Sequence, residues 1–139
     1  MKEPGRILSI DYGTKRVGVA LSDPLRILAR PVGTFLNDET LLERLHDTIE
    51  TNKVVLILIG MPYSVDGGKG QKAQEVDEFI LRLANKVSVP VETWDESLTS
   101  VEAHNLLRES GTKQKQRREK GRIDAVAACV MLQEYLDVH

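Results

Sequence analysis

Three acidic points lie far apart along this 139-residue chain, each at a position where a carboxylate could do chemistry. Asp11 ends the apolar run Arg6-Ile7-Leu8-Ser9-Ile10 and opens the turn Asp11-Tyr12-Gly13-Thr14. Asp95-Glu96 ends a second run, Val89-Pro90-Val91-Glu92-Thr93-Trp94. Asp124 opens the apolar helix Asp124-Ala125-Val126-Ala127-Ala128. Carboxylates at strand ends and at a helix start can converge in space. Converging carboxylates repel one another unless a cation joins them, so the constellation reads as a Mg²⁺ or Mn²⁺ site, the apparatus of metal-assisted phosphoryl transfer.

Each acid also has a plainer reading. Asp11 could bond to the backbone N–H groups of its own turn. Asp124 could be an N-terminal helix acid favoured by the helix dipole and paired with Lys120. Asp95 and Glu96 are neighbours, so in an extended strand they face opposite sides and only one can readily join Asp11. Asp95 shares its parity with Val91 and Thr93, Glu96 with Glu92 and Trp94, and the pattern leaves the choice open. Gly13 gives the first turn conformational freedom and lets backbone approach a phosphate. Lys15 and Arg16 add cations to the same hairpin. The small residues Ala125, Ala127 and Ala128 let the last helix pack close to a sheet and bring Asp124 near the strand ends.

The net charge of −2 conceals an asymmetry. The segment Lys113-Gln114-Lys115-Gln116-Arg117-Arg118-Glu119-Lys120-Gly121-Arg122 carries six basic residues and one acidic one. Such a cluster can neutralise phosphates and release counterions, or it can be a solvated loop. Its place directly before Asp124 favours phosphate binding.

Other chemistries find little support. His46, His104 and His139 lack the i, i+4 spacing of a helical zinc pair, and one cysteine is too few for a zinc site. Gly67-Gly68-Lys69-Gly70 lacks the spacing of a phosphate-binding loop, and no nucleophile elbow occurs. Cys129, in an apolar helical context, reads as a packing residue. No apolar run approaches the ~20 residues of a membrane span and Met1 to Gly5 contains no signal-peptide core, so no membrane partner is expected and a cytoplasmic setting fits.

The elements that must position the acids follow from the apolar pattern. Arg6 to Asp11 and Val17 to Ser22 read as antiparallel strands of a hairpin, and Pro31 to Leu36 as a third strand. Asn37 or Asp38 can cap a helix whose apolar face is Leu41, Leu42, Leu45 and Ile49. Lys53 to Gly60 is a continuous apolar run, the mark of a strand buried on both faces. Met61 to Gly70 reads as a loop. Val76, Phe79, Ile80, Leu83 and Val87 form a second helical stripe, and the strand ending at Asp95-Glu96 follows. Thr99-Ser100-Val101-Glu102 matches a capping box that starts a helix. Val126, Ala127, Val130, Met131 and Leu136 form the expected core face of the last helix. The order is βββαβαβαα, an α/β layer fold with a mixed sheet, read as a single domain over residues 1–139.

These residues resemble the YqgF family, also called RuvX, relatives of the RuvC Holliday-junction resolvases within the ribonuclease H-like superfamily. The resemblance covers nearly the whole chain. It rests on Asp11 to Ala20, on Gly60-Met61-Pro62, on Asp95-Glu96-Ser97-Leu98-Thr99-Ser100, and on Lys120 to Ala128. It implies a ribonuclease H-like three-layer α/β fold, a five-stranded mixed sheet flanked by helices. It further implies Mg²⁺ or Mn²⁺ held by Asp11, Glu96 and Asp124, with Asp95 the alternative second acid. The family is assigned to maturation of the 5′ end of 16S ribosomal RNA from its precursor. An older proposal, by analogy to RuvC, is junction resolution. One departure matters: Ser97 stands where the family usually has arginine, and serine cannot supply a fixed positive fork for a phosphate.

The expectation is a metal-dependent nuclease acting on structured RNA. Lys15, Arg16, Lys113, Lys115, Arg117, Arg118 and Lys120 would position the backbone without reading sequence. With aromatic residues at only 4%, extensive base stacking is not expected. The competing readings are a DNA junction endonuclease acting as a homodimer, an ATP-handling kinase or ATPase, and a non-catalytic RNA-binding protein. The second would need two domains to enclose its nucleotide. A ribosomal partner that presents the substrate is a further expectation.

Overall fold

The computed structural model describes residues 5–62, 70–95 and 120–139, and of residues 120–124 the helix backbone alone. Five strands form one mixed sheet: β1 (Arg6–Asp11), β2 (Arg16–Ser22), β3 (Ala29–Leu36), β4 (Val54–Met61) and β5 (Val91–Asp95). Their order across the sheet is β3-β2-β1-β4-β5. β1, β2 and β3 run as an antiparallel meander, while β4 and β5 are parallel to β1. The carboxyl ends of β1, β4 and β5 therefore lie along one edge of the molecule.

Three helices complete the described part: α1 (Leu41–Thr51), α2 (Gln71–Lys86) and α3 (Lys120–Val138). Alternation along the strands divides the core into two layers. Leu8, Ile10, Val17, Val19, Leu21, Ile57, Ile59 and Met61 face α1 and α2, which bury Leu45, Ile49, Val76, Phe79 and Leu83 against them. Ile7, Ala20 and Leu58 face the other way, against Ala128, Met131, Leu132, Tyr135 and Leu136 of α3. Both faces are covered, which is why β1 and β4 read as continuous apolar runs.

Several local expectations need correction. β3 begins at Ala29, two residues before Pro31. Pro31 is tolerated inside this strand because β3 is an edge and its register with β2 shifts at Val19/Ala20. Helix α1 is capped at Thr40, not at Asn37 or Asp38. Asp38 instead accepts from the Thr40 backbone N–H at 2.9 Å and from its hydroxyl at 2.6 Å, forming the turn that leads into the helix. Met61 belongs to β4. Helix α3 already includes Lys120 to Ile123, so Asp124 stands within it rather than opening it. Long basic side chains are good helix formers, and the onset of apolar residues marks where burial begins, not where the helix does. The buried face is also rotated from the expected one: Ala125, Ala128, Met131, Leu132, Tyr135 and Leu136 are buried, whereas Val126, Ala127 and Val130 are only partly so. The capping box at Thr99 and the loop around Gly67 lie outside the described residues.

Candidate active site

Asp11 is the last residue of the central strand and is half-buried. Strand parity places it with Ile7 and Ser9, on the face covered by α3. The Ser9 side chain is fully buried, and its hydroxyl donates to the Ala128 carbonyl at 2.8 Å. Ile7, at the other end of β1, packs in the same layer as Tyr135 and Leu136. Helix α3 thus descends the face antiparallel to β1. Moving two residues along the strand from Ser9 reaches Asp11, a rise of about 6.6 Å. Moving one turn back along the helix from Ala128 reaches position 124, about 6 Å. The backbone register accordingly carries Asp11 and position 124 to the same end of the β1/α3 contact.

Asp11 is paired with Gly18 of β2. On its other side the β1/β4 register, which matches Ile10 with Ile59, brings Gly60 level with it, and Gly60 is paired with Trp94. Gly18 is paired in turn with Thr34. Paired residues share a face, so one row across the sheet reads Thr34, Gly18, Asp11, Gly60, Trp94. Glycine flanks the carboxylate on both sides, and no side chain of its own row adjoins it. Glycine inside a strand is where another backbone or a ligand comes close. Here α3 packs mainly across β2 and β3, the side on which Gly18 lies.

The hairpin after Asp11 is tied down from outside. The Asn37 side-chain amide donates to the Gly13 carbonyl at 2.8 Å, and the Asn37 backbone N–H donates to the Lys15 carbonyl at 2.9 Å. A Cβ at Gly13 would lie 2.4 Å from the Arg16 carbonyl oxygen. Glycine is required there by close backbone packing rather than by a positive φ. Lys15 is exposed and Arg16 half-buried, both on the same hairpin.

The second acidic point divides by face. Asp95 is paired with Met61 and shares the α1/α2 face with Val91 and Thr93. Trp94 packs in the α3 layer, edge-on to Tyr135 with ring centroids 5.7 Å apart. Glu92, on the same face, accepts a hydrogen bond from the Tyr135 hydroxyl at 2.8 Å. Burial, and next the Glu92 carboxylate, push the Tyr135 hydroxyl up to about 12. The structure therefore does not bring Asp95 onto the face of Asp11. Glu96, Ser97, Lys113, Lys115, Arg117 and Arg118 lie outside the described residues, as do the side chains of Lys120 and Asp124. Among the described residues, no three histidine, cysteine or carboxylate groups are placed to hold a metal.

The remaining polar candidates fall elsewhere. His46 lies on α1 beside Asp47 and Glu50, and His139 stacks on Tyr135. Cys129 is half-buried against the α3 layer, and burial raises its thiol pKa, which disfavours the reactive thiolate. No helix among the described residues is long and apolar enough to cross a membrane.

Residues 5–138 match the family model described as "RuvX: Holliday junction resolvase". The chain belongs to the RuvX family. A RuvX relative from Chlorobaculum tepidum, named "Putative pre-16S rRNA nuclease", is 44% identical over 96% of this chain and 94% of its own length. Another from Chlorobium luteolum, with the same name, is 44% identical over 99% of this chain and 97% of its own. Among solved structures, Thermus thermophilus RuvC in complex with a Holliday junction substrate superposes with a TM-score of 0.60 at 11% identity. That match covers 96% of this chain and 94% of that one. The Fowlpox virus resolvase in complex with Holliday junction DNA gives 0.59 at 9% identity, covering 96% and 97%. At such identity the likeness is one of fold: this RuvX chain has the ribonuclease H-like architecture of the resolvases.

Ser9 and Asn37, which hold α3 and the hairpin in place, carry only faint signals in the sequence. Ser9 is the one polar residue between Ile7, Leu8 and Ile10, and a hydroxyl there must find a buried partner. Asn37 sits where a helix cap is expected and serves the preceding hairpin instead.

Proposed function

We propose that this chain is a metal-dependent nuclease that hydrolyses phosphodiester bonds in structured RNA, with the 5′ region of the 16S ribosomal RNA precursor as its substrate. The observation that carries the reading is the Ser9–Ala128 bond, which fixes α3 against β1 so that Asp11 and position 124 share one end of their contact. Family membership and the names of the relatives support it.

In this reading Asp11, Glu96 and Asp124 hold one or two Mg²⁺ or Mn²⁺ ions. The donor set fits: all three are hard carboxylate oxygens, which suit those ions rather than softer ones. Glu96 is preferred over Asp95 because Asp95 is paired with Met61 and lies on the α1/α2 face, away from that of Asp11. A bound metal would supply an acidified water and stabilise charge on the phosphate. The chain's own residues do the positioning. Lys15 and Arg16 reach the phosphate backbone from the hairpin, and Lys113, Lys115, Arg117, Arg118 and Lys120 extend that contact. Work on a ribosomal precursor goes with a cytoplasmic setting and with a ribosomal partner that presents the substrate.

A second reading, a DNA junction endonuclease, is favoured by the family description and by the junction-bound structures of similar fold. It requires two active sites and hence a homodimer. One assay separates the two: labelled 16S precursor leader and a four-way DNA junction offered side by side with Mn²⁺, with Asp11→Asn as control. Cutting of the RNA, lost in the variant, supports the ribonuclease. Cutting of the junction alone supports the resolvase, and cutting of neither removes both.

A further inference from the structure

Side-chain hydrogen bonds tie α3 to the sheet at its centre and at both of its edges. In the centre the Ser9 hydroxyl donates to the Ala128 carbonyl at 2.8 Å. On the β3 edge the Gln133 amide meets backbone twice. Its Oε1 accepts from the Ala29 N–H at 2.9 Å, and its Nε2 donates to the Ile27 carbonyl at 3.0 Å. The Asp137 carboxylate, one turn on, accepts from the same Nε2 at 3.0 Å and fixes which way the amide faces. On the β5 edge the Tyr135 hydroxyl donates to Glu92 at 2.8 Å. Both anchors are themselves held. The Asp23 carboxylate accepts from the N–H groups of Leu25, Ile27 and Leu28, and Glu92 is paired with Leu58 of β4.

Positions 133 and 135 lie about 200° apart around a helix, so the two side chains leave α3 on opposite flanks. The bond at Ser9 fixes a point on the helix but not its angle across the sheet. The apolar layer beneath resists separation, yet burial has no direction and permits a small rotation in the plane of the sheet. Hydrogen bonds are directional and oppose it. The flanking bonds act about 7 to 11 Å along the axis from Ala128, and position 124 lies about 6 Å from it the other way. A swing about the Ser9–Ala128 contact would therefore carry position 124 sideways by more than half of any shift allowed on the far arm. We infer that Gln133 and Tyr135 are positioning residues, which together set the angle of α3 and so the approach of Asp124 to Asp11. The inference rests on the reading that these two acids hold the metal, and it names the side chains that keep them in register.

The test compares the whole chain with isosteric variants. Tyr135→Phe loses the bond to Glu92, and Gln133→Glu keeps an acceptor for Ala29 but loses the donor to Ile27 and Asp137. Mn²⁺ affinity is read from the paramagnetic resonance signal of the free ion. Binding of the 16S precursor leader is followed by anisotropy in EDTA, and cleavage is measured against Mn²⁺ concentration on whichever substrate the parent cuts, the leader or a four-way DNA junction. Both variants should bind Mn²⁺ on the order of tenfold more weakly and need correspondingly more of it for half-maximal cleavage, with RNA affinity unchanged. Glu92→Leu should behave alike, and Glu92→Gln, whose amide oxygen still accepts from Tyr135, should restore the affinity. Ile49→Val, in the opposite core layer, controls for general loosening and should leave Mn²⁺ affinity near the parent's. Variants that melt earlier with Mn²⁺ affinity unmoved, or an equal loss in Ile49→Val, would overturn the inference and leave the nuclease reading intact. A parent that binds no Mn²⁺ and cuts neither substrate would overturn both.

Discussion

The Ser9 hydroxyl donates to the Ala128 carbonyl at 2.8 Å, joining the central strand to the last helix across 119 positions of sequence. The bond is buried and springs from the same face of β1 as Asp11, two residues away. Ser9→Ala would remove one buried hydrogen bond while the Ala128 carbonyl keeps its helical partner. The expected loss of stability is about 1 kcal/mol. Activity should fall further than stability does, because the helix bearing Asp124 loses its tie to β1. Urea denaturation paired with the cleavage assay checks this. A variant destabilised by that amount with undiminished turnover would mean that the bond serves the fold alone.

Asp11→Asn keeps the shape of the side chain and removes its charge. With glycine as its row neighbour on both sides, no carboxylate in that row can take its place. Cleavage should be abolished while the melting temperature and RNA binding stay near those of the parent, and Asp124→Asn should behave alike. Metal-dependent stabilisation gives an independent readout. The parent's melting temperature should rise with millimolar Mn²⁺ and the variants' should not.

The neighbouring acids Asp95 and Glu96 should separate cleanly. Asp95 is paired with Met61 on the α1/α2 face, so Asp95→Asn is expected to retain most activity. Glu96→Gln is expected to lose it. The reverse pattern in the same assay would reassign the second ligand to Asp95 and require the chain to turn at the strand end.

Much of this arrangement is written locally. The alternation in β1 and β2, the two-sided burial of β4 and the stripes of α1 and α2 are set by neighbouring residues, and the pattern of apolar positions states them. The face on which Asp95 lies is not local. Parity along Thr93-Trp94-Asp95 is legible, but its sign depends on which face receives α3, and that is decided by Trp94 meeting Tyr135 from a distant part of the chain. The extension of α3 ahead of Asp124, through Lys120 to Ile123, is hidden for a different reason, since charged residues and a glycine give no apolar period to detect. The row that surrounds Asp11 with glycine requires two strand registers at once, neither of which a single stretch of sequence contains.

The basic segment before α3 offers a test by salt. Replacing Lys113, Lys115, Arg117 and Arg118 with Gln should weaken RNA binding and flatten the plot of log affinity against log salt. The slope should drop by about 0.7 to 0.9 for each phosphate no longer neutralised. Affinities measured between low and moderate salt supply it. A slope equal to the parent's would show that these residues are solvated rather than engaged.

The last prediction concerns pH. Burial and the nearby Glu92 carboxylate raise the Tyr135 hydroxyl from its ordinary value of 10.0 to about 12. Between these values the unfolded chain releases the phenolic proton while the folded chain retains it. Ionisation therefore favours unfolding, and the stability contributed by this group, complete below pH 10, is lost as pH rises toward 12. Tyr135→Phe keeps the ring against Trp94 and His139 but has no proton to lose. At neutral pH it should be less stable than the parent, having given up the bond to Glu92. Across pH 10 to 12 its melting temperature should fall less steeply, so that the two curves converge. Curves that stay parallel through that range would show that Tyr135 ionises as freely in the folded protein as in the unfolded chain.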